Sequence, residues 1–192
     1  MEKSSNLHVF PTLINYTEDF LTLDECNKFL ELKKKSKFKK HLCIVGDGES
    51  THTFQDSILN QTDNWLLNIL TNKINSYALD YGVREVKLDN SWLSIQKEGS
   101  KLNRHTHPDS IISGALYLKT DSESSKIYFH NPVTFTTFIS YNKQTDFSSE
   151  TYHFTPKPGD LLLFPSWLGH GSHNDRNKSN ERIVLSFNTK YL

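Results

Sequence analysis

The sequence predicts a mainly β domain of the α+β kind, a jelly roll of two facing sheets with supporting N-terminal helices. Three observations carry this. From residue 84 onward, eight short apolar or alternating runs follow one another with no helical period between them, punctuated by Gly, Pro, Asn and Ser. Twelve Phe, eight Tyr and three Trp against a single Met favour strands. The two stretches with helical spacing both lie before residue 85.

Residues 8–16 read as an opening extended segment, with Pro11 suited to a sheet edge. Thr22 and Glu25 form a capping box ahead of Cys26, Phe29 and Leu30, which predicts a first helix. Its end runs into lysines 33, 34, 35, 37, 39 and 40, a solvated helix terminus rather than a nucleic-acid patch, because no aromatic beyond Phe38 is interleaved for base stacking. The glycines of residues 46–50 lack the spacing of a phosphate loop. Thr62 is the expected cap of a second helix, whose apolar face is Trp65, Leu66, Ile69, Leu70, Ile74, Tyr77, Ala78 and Tyr81 and whose stop is Gly82. The predicted strands are 86–88, 92–96, 111–119, 126–130, 135–140, 150–155, 160–164 and 183–188. The chain is thus expected to be one domain over 1–192. Residues 1–85 pack on the outer face of a sheet, and 86–192 form the jelly-roll core.

Twenty-two basic and 22 acidic side chains balance, so net charge gives no long-range pull toward nucleic acid or an acidic membrane. Cys26 and Cys43 have no metal or redox spacing and are too few for a disulfide scaffold. No window approaches a membrane span. The expectation is a soluble, cytoplasmic protein without membrane or nucleic-acid partners. Neither a Ser–His–Asp order nor a pair of carboxylates supports nucleophilic or acid–base hydrolysis.

The chemistry concentrates in residues 103–109, Asn-Arg-His-Thr-His-Pro-Asp, and in two later residues, His170 and Arg182. Histidines one residue apart in a turn, joined by a third from another strand end, converge on a metal when both strand ends share one mouth of the barrel. His105, His107 and His170 are the candidate ligands. His107 and Asp109 also form an HxD triplet, so the register can slide, and His173 competes with His170 from a more polar loop. Arg182 opens a strand on which Val184, Ser186 and Asn188 share its face; an inward guanidinium needs an anion there, a bound carboxylate or else Glu181 or Asp160. His8, His41, His52, His130 and His153 read as structural or exposed.

Taken together, Asn103-x-His105-x-His107-Pro108, Ser113-Gly114-Ala115-Leu116-Tyr117, the run from Pro158 to His170 and Glu181-Arg182-Ile183-Val184-Leu185-Ser186-Phe187-Asn188 resemble the 2-oxoglutarate/Fe(II)-dependent oxygenases of bacteria and their viruses. The resemblance covers residues 92–188. It implies a double-stranded β-helix (cupin-like) core, Fe(II) and 2-oxoglutarate as cofactors, dioxygen as co-reactant, and most simply a hydroxylase. His105 and His170 would be the histidine ligands and Arg182 the anchor of the distal carboxylate of 2-oxoglutarate. The family's usual middle ligand is a carboxylate, and this chain has His107 there. Three neutral ligands leave both charges on the metal and favour a dianionic cosubstrate. Val184 stands where some relatives carry a serine, so the second anchor comes from elsewhere: Ser113 is the first candidate and Tyr117 the second. Two rivals stand beside this reading. One is a cupin-type metalloenzyme without a 2-oxo acid, against which Arg182 argues; the other is a non-catalytic binding module with a structural metal.

Overall fold

The computed structural model describes residues 10–52, 57–62, 64–133 and 140–192. Both predicted helices form. Thr22 caps α1 (Leu23–Lys35) reciprocally with Glu25: the Glu25 amide donates to the Thr22 hydroxyl oxygen and the Thr22 amide to the Glu25 carboxylate. Lys33, Lys34 and Lys35 fill its last turn, where cations meet the negative end of the helix dipole, and Lys33 pairs with Glu181. α2 (Asn64–Tyr81) buries Leu66, Leu70, Ile74, Tyr77 and Ala78. It stops at Gly82, whose φ of +77° lets the Val83 amide reach the Ala78 carbonyl. Two details differ from expectation. Thr62 closes the preceding 3-10 turn (Ile58–Gln61), with its hydroxyl on the Leu59 carbonyl. Trp65 lies off the buried stripe and is half exposed.

Twelve strands are described: β1 (Asn15–Thr17), β2 (Lys39–Lys40), β3 (Ile44–Val45), β4 (Gly48–Ser50), β5 (Val86–Gln96), β6 (Lys101–Leu102), β7 (Ile112–Lys119), β8 (Ile127–His130), β9 (Thr151–Phe154), β10 (Leu161–Pro165), β11 (His170–Gly171) and β12 (Arg182–Tyr191). The large antiparallel sheet runs β1-β10-β7-β12-β5-β4-β2; a second sheet runs β11-β8-β9, and β3 pairs β6. The predicted runs 86–88 and 92–96 are one strand, since the polar residues between them continue the ladder against β12. Residues 135–139 of a predicted strand lie outside the described residues, as do residues 8 and 9. The N-terminal part does more than cover the sheet: it adds β1, β2 and β4 to it. Strands of two or three polar residues carry no alternation of their own and form because β10 and β5 offer them edges.

The large sheet is covered on one face by the helices, around a core that includes Leu66, Leu70, Leu93, Ile95, Leu116 and Leu185. Its other face looks toward the small sheets across Ala115, Tyr117, Phe129, Leu162, Phe164 and Val184. Residues 102–105 stitch the small sheets together. The Ser172 amide bonds the Leu102 carbonyl at 2.8 Å, and the backbones of His105 and His170 bond each other both ways at 3.0 Å. Gly171 makes this approach possible, because a Cβ there would lie 2.7 Å from the Leu102 carbonyl oxygen. No helix among the described residues is long and apolar enough to cross a membrane.

Candidate metal centre

Backbone hydrogen bonds, not side-chain packing alone, set the three histidines. His105 is tied to His170 as above, and the His107 amide donates to the Ser166 carbonyl at 2.9 Å in the turn between β10 and β11. One ligand atom from each of His105, His107 and His170 then lies within 4.8 Å of the others. Ring centroids are 4.3 Å apart for His105 and His170, 5.0 Å for His105 and His107, and 5.3 Å for His107 and His170. His105 Nδ1 donates to the Asn103 carbonyl and His170 Nδ1 to the Leu168 carbonyl, both at 2.9 Å, which leaves Nε2 with its lone pair in each ring. Burial is the largest influence on all three. It holds His105 below the ordinary imidazole pKa, His107 at about 4 and His170 well below the usual value. The neutral imidazoles are the form that binds a metal, so the donor set fits a divalent ion.

The rival positions go elsewhere. Asp109 is exposed and outside the cluster. His173 is exposed with φ +52° and turns to Tyr128 and His130, at ring distances of 5.5 and 5.6 Å.

At the other end of the same cavity lies Arg182, 5 % exposed. Its register partner is Gln96, whose Oε1 accepts from Arg182 Nη1 at 2.6 Å, and its guanidinium carbon sits 5.1 Å from the Tyr117 ring centroid. The two acidic residues the sequence offered as partners are engaged elsewhere: Glu181 with Lys33 and Lys119, and Asp160 with the Tyr16 hydroxyl and the backbone amides of Asp19 and Lys157. Burial pulls the guanidinium below its usual pKa and pushes the Tyr117 hydroxyl up to about 12, so the phenol stays protonated as a donor. Arg182 Nε, Gln96 Nε2 and Tyr117 OH are all buried without a hydrogen-bond partner. Three orphaned donors around one cation fit a carboxylate; burying them with no anion to receive them is costly.

Ser113 also lines the cavity but at the histidine end. It sits in register with Asn188, six residues along β12 from Arg182, and bonds Asn188 Oδ1 at 2.7 Å and Ser166 Oγ at 2.8 Å. Gln96 escaped the sequence reading because its role depends on the register between β5 and β12. His41 lines the cavity, and the exposed His52 packs edge-on to Trp92 at 4.8 Å, which in turn lies 5.8 Å from His107.

Comparison with known proteins agrees with this geometry. Residues 90–188, just over half of the chain, match the family model of the 2OG-Fe(II) oxygenases. No curated protein sequence matches the chain. Among solved structures, a prolyl-4-hydroxylase from Pseudomonas putida is similar at 13 % identity and a TM-score of 0.62, over 94 % of both chains. HygX from Streptomyces hygroscopicus, with nickel and 2-oxoglutarate bound, gives 11 % identity and 0.64 over 94 % of this chain and 83 % of that one. The viral collagen prolyl hydroxylase of Paramecium bursaria Chlorella virus-1 gives 13 % and 0.57 over 93 % and 96 %. At these identities the structural likeness speaks for the fold, the double-stranded β-helix.

Proposed function

The chain belongs to the 2OG-Fe(II) oxygenase family, and from that premise we propose which of its residues do the work. His105, His107 and His170 hold Fe(II). Arg182, Gln96 and Tyr117 hold the distal carboxylate of 2-oxoglutarate, and the reaction is a hydroxylation. Tyr117 takes the anchoring role first given to Ser113, whose hydroxyl is already committed to Asn188 and Ser166. One observation carries the assignment: a single cavity has three neutral imidazoles at one end and three unpartnered buried donors at the other.

When bound, Fe(II) with 2-oxoglutarate and dioxygen supplies the oxidising power for the reaction, the 2-oxo acid leaving as succinate and carbon dioxide. The protein supplies position and environment. The Nδ1 bonds of His105 and His170 fix their rings with Nε2 available. Arg182 gives charge and a planar fork, Gln96 keeps that fork from turning, and Tyr117 adds a neutral donor. Between the ends, Ala115, Phe164 and Val184 make the walls apolar, which excludes water and strengthens each charge interaction. The rival without a 2-oxo acid leaves the orphaned donors without a partner. Cys26 and Cys43 are both free thiols, in keeping with an intracellular, reducing location.

The test is an anaerobic titration of metal-free protein with Fe(II) and 2-oxoglutarate, watching for the visible charge-transfer band of a chelated 2-oxo acid. The band should appear in wild type, vanish in His170→Ala and need more 2-oxoglutarate in Arg182→Ala. Metal binding with no band in wild type would overturn the assignment.

A further inference from the structure

We propose that Asn188 is a positioning residue that sets the tautomer of His107, and through it the metal affinity of the site. The proposal rests on His107 being a metal ligand. Its starting point is an asymmetry among the three imidazoles. His105 and His170 each give Nδ1–H to a backbone carbonyl two residues earlier. His107 has a different neighbour at Nδ1: the carboxamide of Asn188, 3.5 Å away on the inner face of β12 and only 4 % exposed.

A carboxamide differs from a carbonyl in one respect that matters here. It can present either oxygen or nitrogen by turning through half a revolution, and the two ends are nearly the same size. As placed, Asn188 turns Nδ2 to His107 and accepts from Ser113 through Oδ1 at 2.7 Å. In that orientation Nδ1 of His107 accepts, the ring proton sits on Nε2, and that nitrogen has no lone pair to give a metal. Turning the amide over reverses every role without moving a backbone atom. Oδ1 then accepts Nδ1–H of His107, Nδ2 donates to Ser113 Oγ, and the Ser113 hydroxyl rotates to donate to Ser166 Oγ, 2.8 Å away. His107 Nδ1–H, Asn188 Nδ2 and the Ser113 hydroxyl keep a partner while the Ser166 hydroxyl gives up Ser113 as its acceptor, and Nε2 of His107 is freed, as it already is in His105 and His170. Metal loading therefore selects the turned amide. Asn188 does for the third ligand what two main-chain carbonyls do for the others, but as a side chain it can be removed by mutation.

The experiment titrates Co(II) alone into metal-free protein, following the visible absorption of the bound ion, with the melting temperature of the metal-free form measured alongside. Asn188→Ala should weaken Co(II) binding by about 10- to 100-fold, the usual cost of losing a group that orients a ligating histidine. Asn188→Asp, whose carboxylate can only accept, should restore affinity to within a few-fold of wild type. The double variant His107→Ala with Asn188→Asp should bind no better than His107→Ala, since the acceptor acts through His107 and not as a ligand. Wild-type affinity in Asn188→Ala, or no recovery in Asn188→Asp while both metal-free forms melt as wild type does, would overturn the proposal. So would strong binding by the double variant. Wild-type affinity in His107→Ala would instead remove His107 from the ligand set, a failure of the underlying assignment that the other arms cannot imitate.

Discussion

Leu185 and its two neighbours on β12, Val184 and Ser186, show how differently the large sheet treats its faces. Leu185 points to the helices, in register with Leu93 and Leu116, inside a mainly apolar core. Val184 and Ser186 point the other way, onto a face that also carries Arg182, Gln96, Ser94 and Ser113. The period of a strand is two, so the same backbone serves both. The helical face spends its residues on burial. The cavity face leaves buried polar atoms unpaired, an arrangement that costs stability and makes sense as a binding surface. Adjacent residues should therefore fail in opposite ways.

Leu185→Ala gives the largest expected effect. Removing a fully buried leucine from a close-packed core should cost about 2–5 kcal/mol of folding stability. Chemical denaturation of the metal-free protein measures this. In the protein that remains folded, 2-oxoglutarate affinity should stay at its wild-type value. A large drop in that affinity with little loss of stability would break the division between the faces.

Arg182→Met asks the opposite question three residues away. Losing charge-assisted bonds worth about 1.5–3 kcal/mol should weaken 2-oxoglutarate binding by roughly 10- to 100-fold. Stability should not fall with it, because an apolar side chain of similar length replaces a buried charge whose one hydrogen-bonded partner is neutral. A melting temperature lowered as far as that of Leu185→Ala would make Arg182 a structural residue and sink its role as an anchor.

The same contrast governs what could be read from the chain. Local signals were legible: the capping box at Thr22 and Glu25, the glycine stop at residue 82, the strand grammar after residue 84, and the alternation that put Arg182 and Asn188 on one face. The convergence of His105, His107 and His170 was legible as well, since strand ends in a jelly roll gather at one mouth. What stayed hidden was pairing. Gln96 meets Arg182 only through the register of β5 and β12, strands separated by more than 80 residues of chain. Thr62 looked like a cap for α2 because the sequence does not reveal the 3-10 turn that uses its hydroxyl first. Ser113 and Tyr117 share a face of β7, and composition could not say which of them stands near the arginine.

That last pair gives the smallest effect and the sharpest test of how finely the cavity face is divided. Ser113 and Tyr117 are four residues apart on one strand, about 13 Å along it. Tyr117 stands in register with Val184, near Arg182, with its hydroxyl unpartnered; Ser113 stands opposite Asn188 with its hydroxyl bonded twice. A neutral hydrogen bond contributes about 0.5–1.5 kcal/mol, so Tyr117→Phe should weaken 2-oxoglutarate binding by roughly two- to tenfold. The ring and its packing against Arg182 remain, and Fe(II) affinity should not change. With metal at saturation, Ser113→Ala should cost less 2-oxoglutarate affinity than Tyr117→Phe, because the Ser113 hydroxyl is already bonded to Asn188 and Ser166 and stands away from Arg182. Calorimetric titration of both variants with 2-oxoglutarate, in the presence of a redox-inert metal, measures the two effects side by side. If Ser113→Ala carries the loss and Tyr117→Phe does not, the distal carboxylate lies at the histidine end of β7, and Arg182 must be holding something else.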